Sequence, residues 1–346
     1  MPDAPAASAL VVQTAFLGDV VLTTPLLAAL AERHGPLDVV TTPAAAPLLE
    51  TLPAVRSVRR YDKRGTERGL TGLLTIVRAL RAERYETAYL PHRSLRSALL
   101  ARLARVPRRV GFHDGWPSLY TEVKRRPAAG HEIDRLLALA DVKPPHQTPP
   151  ALVTTLADRA AAERVLREGS LGGGAGEPFV ALAPGSIWGS KRWPYYAELA
   201  ERLAARVAVV VVGSPADREL GEAIVAAVGR SGGRAVNACG RLSLRESAAL
   251  IGKAAALVTN DSAPLHLAAA AGTPIVALFG PTLPTFGFGP RGPRDVALGV
   301  EDLTCRPCSR HGPARCPLGH HHCMRRLAPE QVLAALEETG ALHRRD

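Results

Sequence analysis

Short apolar runs recur along this chain, and nearly every one is followed by a stretch with helical spacing. ALVVQTA (9–15) reads as a buried strand, and TPLLAALAERHG (24–35) as a helix that Gly35 and Pro36 end. LDVVTT (37–42) is strand, RGLTGLLTIVRALRAE (68–83) helix, YETAYLP (85–91) strand, SLRSALLARLAR (94–105) helix and RRVGF (108–112) strand. Such alternation predicts a parallel sheet covered on both faces. A proline-rich connector, VKPPHQTPPALV (142–153), then a helix, LADRAAAERVLREG, and a glycine-rich turn, SLGGGAGEP (170–178), interrupt it. A second series follows: FVALAPG, YYAELAERLAAR, VAVVVVG, DRELGEAIVAAVG, LRESAALIGKA, ALVTN, HLAAAAG and PIVALFG. The expected architecture is α/β, with two doubly wound halves. Ligands of open parallel sheets bind outside the carboxyl ends of the strands, so the substrates are expected in a cleft that the two halves face.

Composition narrows the function classes. Hydrophobic residues make up 47% of the 346, enough for two cores, but aromatics only 4%. That argues against a protein that stacks single-stranded bases on aromatic platforms. The net charge of +11, with 43 Lys and Arg, favours anionic partners: phosphorylated substrates, a membrane surface or nucleic acid. The N-terminus lacks a basic n-region, and its apolar run is broken by Gln13, Thr14 and Asp19, so no secretory signal is read. No stretch approaches the roughly 18 apolar residues of a spanning helix. A cytosolic chain, resting on a membrane at most, is expected.

Four strand ends carry polar residues. In AFLGDVVLTTP (15–25), Gly18 allows a tight turn and Asp19 falls where a helix begins. Asp19 is a helix cap on one reading and a general base on the other. In LAPGSIWGSKRWPYYAEL (182–199), Ser186, Lys191 and Arg192 precede Trp193-Pro194, with Pro194 suited to a first helical turn. Positive charge is disfavoured at a helix N-terminus, and an anionic ligand would remove that conflict. In VVVVGSPADRE (209–219), Gly213 ends a strand, and Asp217 and Glu219 open the next helix; either caps it or binds a ribose. In TNDSAPLHLAAAAGTPIVALFGPT (259–282), Asp261 and Ser262 end a strand, Ala263 and Pro264 open a helix and His266 lies in its first turn. Helix N–H groups bind phosphate, and Ser262 and His266 add donors.

Four segments, FLGDVVLTTPLLAAL, PGSIWGSKRWP, the 259–282 stretch and CPLGHHHCM, occur in this order and together resemble the ADP-heptose:lipopolysaccharide heptosyltransferases, their type II members most of all. The resemblance implies a GT-B fold: an acceptor-binding Rossmann-like domain over 1–155, and an ADP-sugar-binding one over 156–346 whose final helix, LAPEQVLAALEETG (327–340), returns to the first. It implies inverting transfer of L-glycero-D-manno-heptose from ADP-heptose to a phosphorylated, Kdo-bearing lipid A core, one already carrying a heptose, with no metal required. It implies a chain peripheral to the inner face of the inner membrane. Asp19 matches the family's base and Lys191 the lysine that meets the diphosphate. Asp261, Ser262 and His266 match the sugar-diphosphate site, Asp217 the ribose acid, and Leu242 of RLSL (241–244) the adenine loop. Ala263 departs from the family's common glycine. Arg93 and Arg96 (PHRSLRS) either meet acceptor phosphates or belong to a solvated helix.

Cys305, Cys308, Cys316 and Cys323 are spaced C-x2-C-x7-C-x6-C among histidines, in a loop over 305–323. The first pair has metal-knuckle spacing, so the four are candidate ligands of a structural zinc, with free thiols as the alternative. Three other functions compete. One is a GT-B enzyme with a different nucleotide sugar, since the motifs fix the diphosphate better than the sugar. A Rossmann dehydrogenase is opposed by the absence of G-x-G-x-x-G after the first strand. A nucleic-acid binder has only the net charge in its favour.

Overall fold

β1 (Ala9–Val12) is buried along its whole length, with parallel partners on both sides. Its neighbours build a six-stranded sheet with β2 (Leu37–Thr41), β3 (Val55–Arg60), β4 (Thr87–Leu90), β5 (Arg108–Phe112) and β6 (Glu122–Lys124), in the order β3-β2-β1-β4-β5-β6. Every pairing is parallel. A second sheet holds β7 (Phe179–Ala183), β8 (Ala208–Val211), β9 (Ala235–Asn237), β10 (Ala256–Asn260), β11 (Ile275–Leu278) and β12 (Val296–Leu298), in the order β12-β11-β10-β7-β8-β9 and again all parallel. The computed structural model describes residues 9–143, 148–171 and 177–342; parts of the proline-rich connector and of the glycine-rich turn, residues 144–147 and 172–176, lie outside these.

Central strands were legible because burial on both faces demands a continuous apolar run. The edge strands β3 and β6, VRSVRR and EVK, are half exposed and charged, and the periodicity missed them. β3 is fastened instead by an ion pair, Arg56 to Asp38 of β2 at 2.5 Å, and Tyr85 donates to the same carboxylate at 2.7 Å. With few aromatics to hand, both cores are packed largely by Leu, Val and Ala.

The chain divides into units Met1–Val153 and Thr154–Asp346, two residues earlier than the sequence suggested. Thr155 caps the helix Leu156–Glu168 through Asp158, and Arg245 binds Asp158 at 2.6 Å, which ties that helix to Leu244–Ile251 of the second unit. The final helix, Pro329–Glu338, buries Val332, Ala335 and Leu336 in the second unit's own core, with Arg206 on Glu337 at 2.6 Å.

In each sheet the strand order reverses once. The chain lays β2 and β3 on one side of β1, then β4 to β6 on the other. It does the same around β7, with β10 opening the second side. Crevices therefore form past the carboxyl ends of β1 and β4, and of β7 and β10.

Candidate active site

Asp19 lies past the end of β1, in the first turn of a short helix, Leu17–Leu22. The N-cap residue is Phe16, and Asp19, at the third helical position, accepts the Phe16 N–H on its Oδ2 at 3.2 Å. Gln13 donates to the Thr23 hydroxyl at 2.8 Å, and that hydroxyl donates to the Asp19 carbonyl at 2.7 Å, which fixes the turn. Burial, and then the charge of Glu132, push the Asp19 carboxyl up to about 6, against the Phe16 N–H and Arg126, which pull it down.

Around the same strand end the first unit gathers further polar groups, Arg93 and Arg96 among them. Lys63 donates to the Thr14 carbonyl at 2.7 Å and hydroxyl at 3.0 Å. Burial and the charges of Arg64 and Arg96 lower its pKa. Arg126 grips Glu132 with bonds of 2.5 and 2.6 Å and lies over the Phe112 ring. His92 is held neutral, pushed down to about 4 by burial and by Lys63, Arg126 and Arg93. Arg93 pairs with Asp114 at 3.3 Å, and Arg96 donates to the Lys63 carbonyl at 3.1 Å while lying over Tyr61. No spacing rule singles out Arg126 or Glu132, because the fold alone brings them to Asp19.

In the second unit Lys191 and Asp261 meet. Lys191 leaves the turn after β7, and Asp261 follows β10. The ammonium lies 2.6 Å from Asp261 Oδ2 and 3.1 Å from its carbonyl, with side chains 8% and 13% exposed. The Thr282 hydroxyl donates to Asp261 Oδ2 at 2.7 Å. Asn260 ties the two strand ends together: its Nδ2 donates to the Pro184 carbonyl at 2.9 Å, and its Oδ1 accepts from the Trp193 N–H at 3.2 Å. The dipole conflict expected at Lys191 is thus resolved by Asp261. The helix that follows, Tyr196–Leu203, starts later than foreseen, with Tyr195 rather than Pro194 at its boundary.

Ser262 is the N-cap residue of Ala263–Ala271, yet its side chain does not cap; its hydroxyl lies 3.5 Å from that of Thr259. Ala263 is the first residue of that helix. His266 is buried, and its Nδ1 has no partner among the described residues. Burial pushes its pKa down to about 4, so the ring is neutral. A buried polar atom without a partner costs free energy, and a ligand at this helix entrance would supply one.

The remaining donor candidates fall differently. Asp217 caps its own turn, with Oδ2 taking the Ser214 N–H at 2.9 Å and hydroxyl at 2.7 Å, so only its second oxygen is left for a ribose. Gly185 lies so close to that carboxylate that any Cβ there would overlap it, and a Cβ at Gly213 would come within 2.9 Å of the Asp217 Cβ. Ser186 is buried and accepts from the Trp188 N–H at 3.2 Å; the exposed Arg192 donates to the Ser186 carbonyl at 3.0 Å. Leu242 is half-buried, just before the Leu244–Ile251 helix.

The four loop cysteines are free thiols, and among the described residues no group of three or more His, Cys, Asp or Glu is arranged to hold a metal ion. The expected zinc ligands Cys305, Cys308, Cys316 and Cys323 therefore do not form a ready set. Their environments diverge: Cys308 is exposed, whereas Cys323 lies in the hydrophobic core, its thiol pushed up to about 11 by burial and the neighbouring cysteines. Cys305, Cys308 and Cys316 line a cavity of about 260 Å³ with Pro307, Pro317 and Leu318.

Residues 73–317 match glycosyltransferase family 9 (heptosyltransferase). The chain belongs to this family. It is 30% identical to lipopolysaccharide heptosyltransferase 2 of Escherichia coli K12, over 96% of its own length and 97% of that protein's. It is 29% identical to the Salmonella typhimurium protein of the same name, over 80% and 84%. The solved structure of ADP-heptose lipopolysaccharide heptosyltransferase II from E. coli superposes with a TM-score of 0.77 at 28% identity, covering 97% of this chain and 98% of that one. A family 9 glycosyltransferase from Veillonella parvula reaches 0.82 at 23% identity, which speaks for the fold alone. This family 9 member is a glycosyltransferase with the GT-B fold, as the family match and the superposition on heptosyltransferase II show.

Proposed function

We propose that this chain transfers L-glycero-D-manno-heptose from ADP-heptose, with inversion, to the phosphorylated inner core of lipopolysaccharide, on a Kdo-lipid A already carrying one heptose. The similarity to heptosyltransferases 2 supports the substrates. The buried Lys191–Asp261 pair at the β7/β10 crevice carries the mechanism. A leaving diphosphate gathers negative charge as the bond from the sugar C1 to the phosphate oxygen breaks. Lys191, Ser262, neutral His266 and the N–H groups opening Ala263–Ala271 offer fixed positive dipoles and charge to it. Asp19 takes the proton of the acceptor hydroxyl as that oxygen bonds to C1, and ADP leaves. A carboxyl titrating near 6 is largely ionised at neutral pH and still basic enough to accept a proton. In this reading the chemistry requires no metal, Asp217 and Leu242 hold the nucleoside, and Arg93 and Arg96 meet acceptor phosphates.

The acceptor is a lipid, so the enzyme works at the inner face of the cytoplasmic membrane, with no role for nucleic acid. No helix among the described residues is long and apolar enough to cross a membrane. The helix Leu70–Ala82 presents Leu70, 76% exposed, and Leu74 outward, with the exposed Arg64 and Arg68 just before it in the chain and the exposed Arg78 and Arg81 in its second half. That mixture suits an anionic lipid surface. Incubation with synthetic ADP-heptose and cores carrying zero or one heptose, read by mass spectrometry, tests the function. One heptose added to the one-heptose core is expected. Transfer from UDP- or GDP-sugars in preference to ADP-heptose would overturn the donor.

A further inference from the structure

Lys191 is gripped from a second direction, by the cysteine-rich loop. Its turn, Gly189–Lys191, makes two hydrogen bonds to that loop and leaves no room for a Cβ at Gly189 and only tight room for one at Gly312. The Ser190 hydroxyl donates to the Pro313 carbonyl. The Ser190 carbonyl lies 2.7 Å from His321 Nε2, which must carry the proton because a carbonyl only accepts. A Cβ on Gly189 would come within 2.6 Å of the Ala314 carbonyl oxygen. A Cβ on Gly312 would lie 3.2 Å from Lys191 Cε, and Gly312 itself is left-handed at φ +78°. The loop is anchored just as firmly to the strand end that carries Thr282. Arg306 donates to the carbonyls of Phe279 (2.8 Å), Gly280 (2.6 Å), Thr282 (3.1 Å) and Val300 (2.6 Å), and the Cys308 N–H reaches the Pro281 carbonyl at 2.9 Å. Thr282 holds Asp261, which holds Lys191, so the contacts close into a ring. His321 is left-handed at φ 53°, a strained conformation for a residue with a side chain, and such strain persists only where the surroundings impose it.

We infer that the 305–323 loop is the wall that aims Lys191, with His321 and Arg306 as positioning residues for the donor diphosphate. The inference rests on the proposed donor site. A loop of stabilising value alone would not need to brace both the turn that bears the lysine and the strand end that bears its counter-ion. With the wall loosened, the ammonium keeps its charge but loses its direction, so donor binding and turnover suffer while the acceptor is untouched.

The experiment measures ADP affinity by calorimetry, donor and acceptor KM, kcat and unfolding temperature for wild type, His321→Ala, His321→Gln and Ser190→Ala. Loss of one hydrogen bond predicts ADP binding and donor kcat/KM weakened about three- to tenfold in His321→Ala. His321→Gln, which keeps a donor, is expected to recover most of that. Ser190→Ala removes only the hydroxyl that meets Pro313, and is expected to lose about threefold. Acceptor KM stays put in all three. Wild-type ADP affinity and donor KM in both His321→Ala and Ser190→Ala would overturn the inference. So would losses that glutamine does not restore and that track the unfolding temperature. A wild-type chain that binds no ADP would overturn the donor site itself, and the wall with it.

Discussion

Asp19 is the residue on which pH acts. Its carboxyl titrates about 6 when folded, above its ordinary 3.8. A raised carboxyl favours the folded state at low pH, and that contribution fades as pH climbs through 6. Asp19→Asn therefore costs no stability at pH 7, and calorimetric melting should show an unchanged or higher unfolding temperature. Its kcat is expected to fall by about 10²–10⁴. The wild-type kcat/KM should rise with pH to a plateau with a midpoint near 6, a limb missing from the residual activity of the variant. Lys191 behaves in the opposite way. Replacing it by Met leaves a buried carboxylate without its cation, which costs about 3–5 kcal/mol. Adding Asp261→Asn should return most of that stability in denaturant titrations, yet not ADP binding, because the diphosphate has lost its lysine.

At the scale of elements, turns and loops hold the chemistry and the strands place it. The turn after β7 passes so close to the Asp217 carboxylate that only glycine fits at position 185. Gly185→Ala should destabilise the protein by about 1–3 kcal/mol, and weaken ADP binding by shifting Asp217 and the phosphate turn together; melting and calorimetry read both. In the 305–323 loop, thiol titration of the native protein should find Cys308 first, then Cys305 and Cys316. Cys239 and Cys323 are buried, with thiols pushed up to about 12 and about 11, and should react only on unfolding. Silence of all four loop thiols until a chelator is added would instead restore the zinc expected from their spacing.

For the whole molecule, the +11 charge and the exposed leucines of Leu70–Ala82 predict binding to anionic phosphatidylglycerol vesicles that high salt weakens and Leu70→Ser with Leu74→Ser reduces further, as measured by flotation. Two sheets, their central strands and the polar residues at four strand ends could be read directly from the chain. A strand buried on both faces must be an unbroken apolar run, and a residue just past it must lie at the sheet's carboxyl edge. Asp19, Lys191, Asp261 and His266 were legible for that reason. Edge strands β3 and β6 were not, since half-exposed backbone leaves no such run. Nor was the company these residues keep. Glu132 and Arg126 beside Asp19, Thr282 on Asp261 and His321 behind Ser190 are partners distant in sequence, and no local period encodes them. Tertiary structure alone decided that Asp19 titrates near 6, that Lys191 is paired with Asp261, and that the cysteine loop braces the lysine turn. Burial and charge proximity set those properties, and both arise only when separate strand ends are brought to one edge.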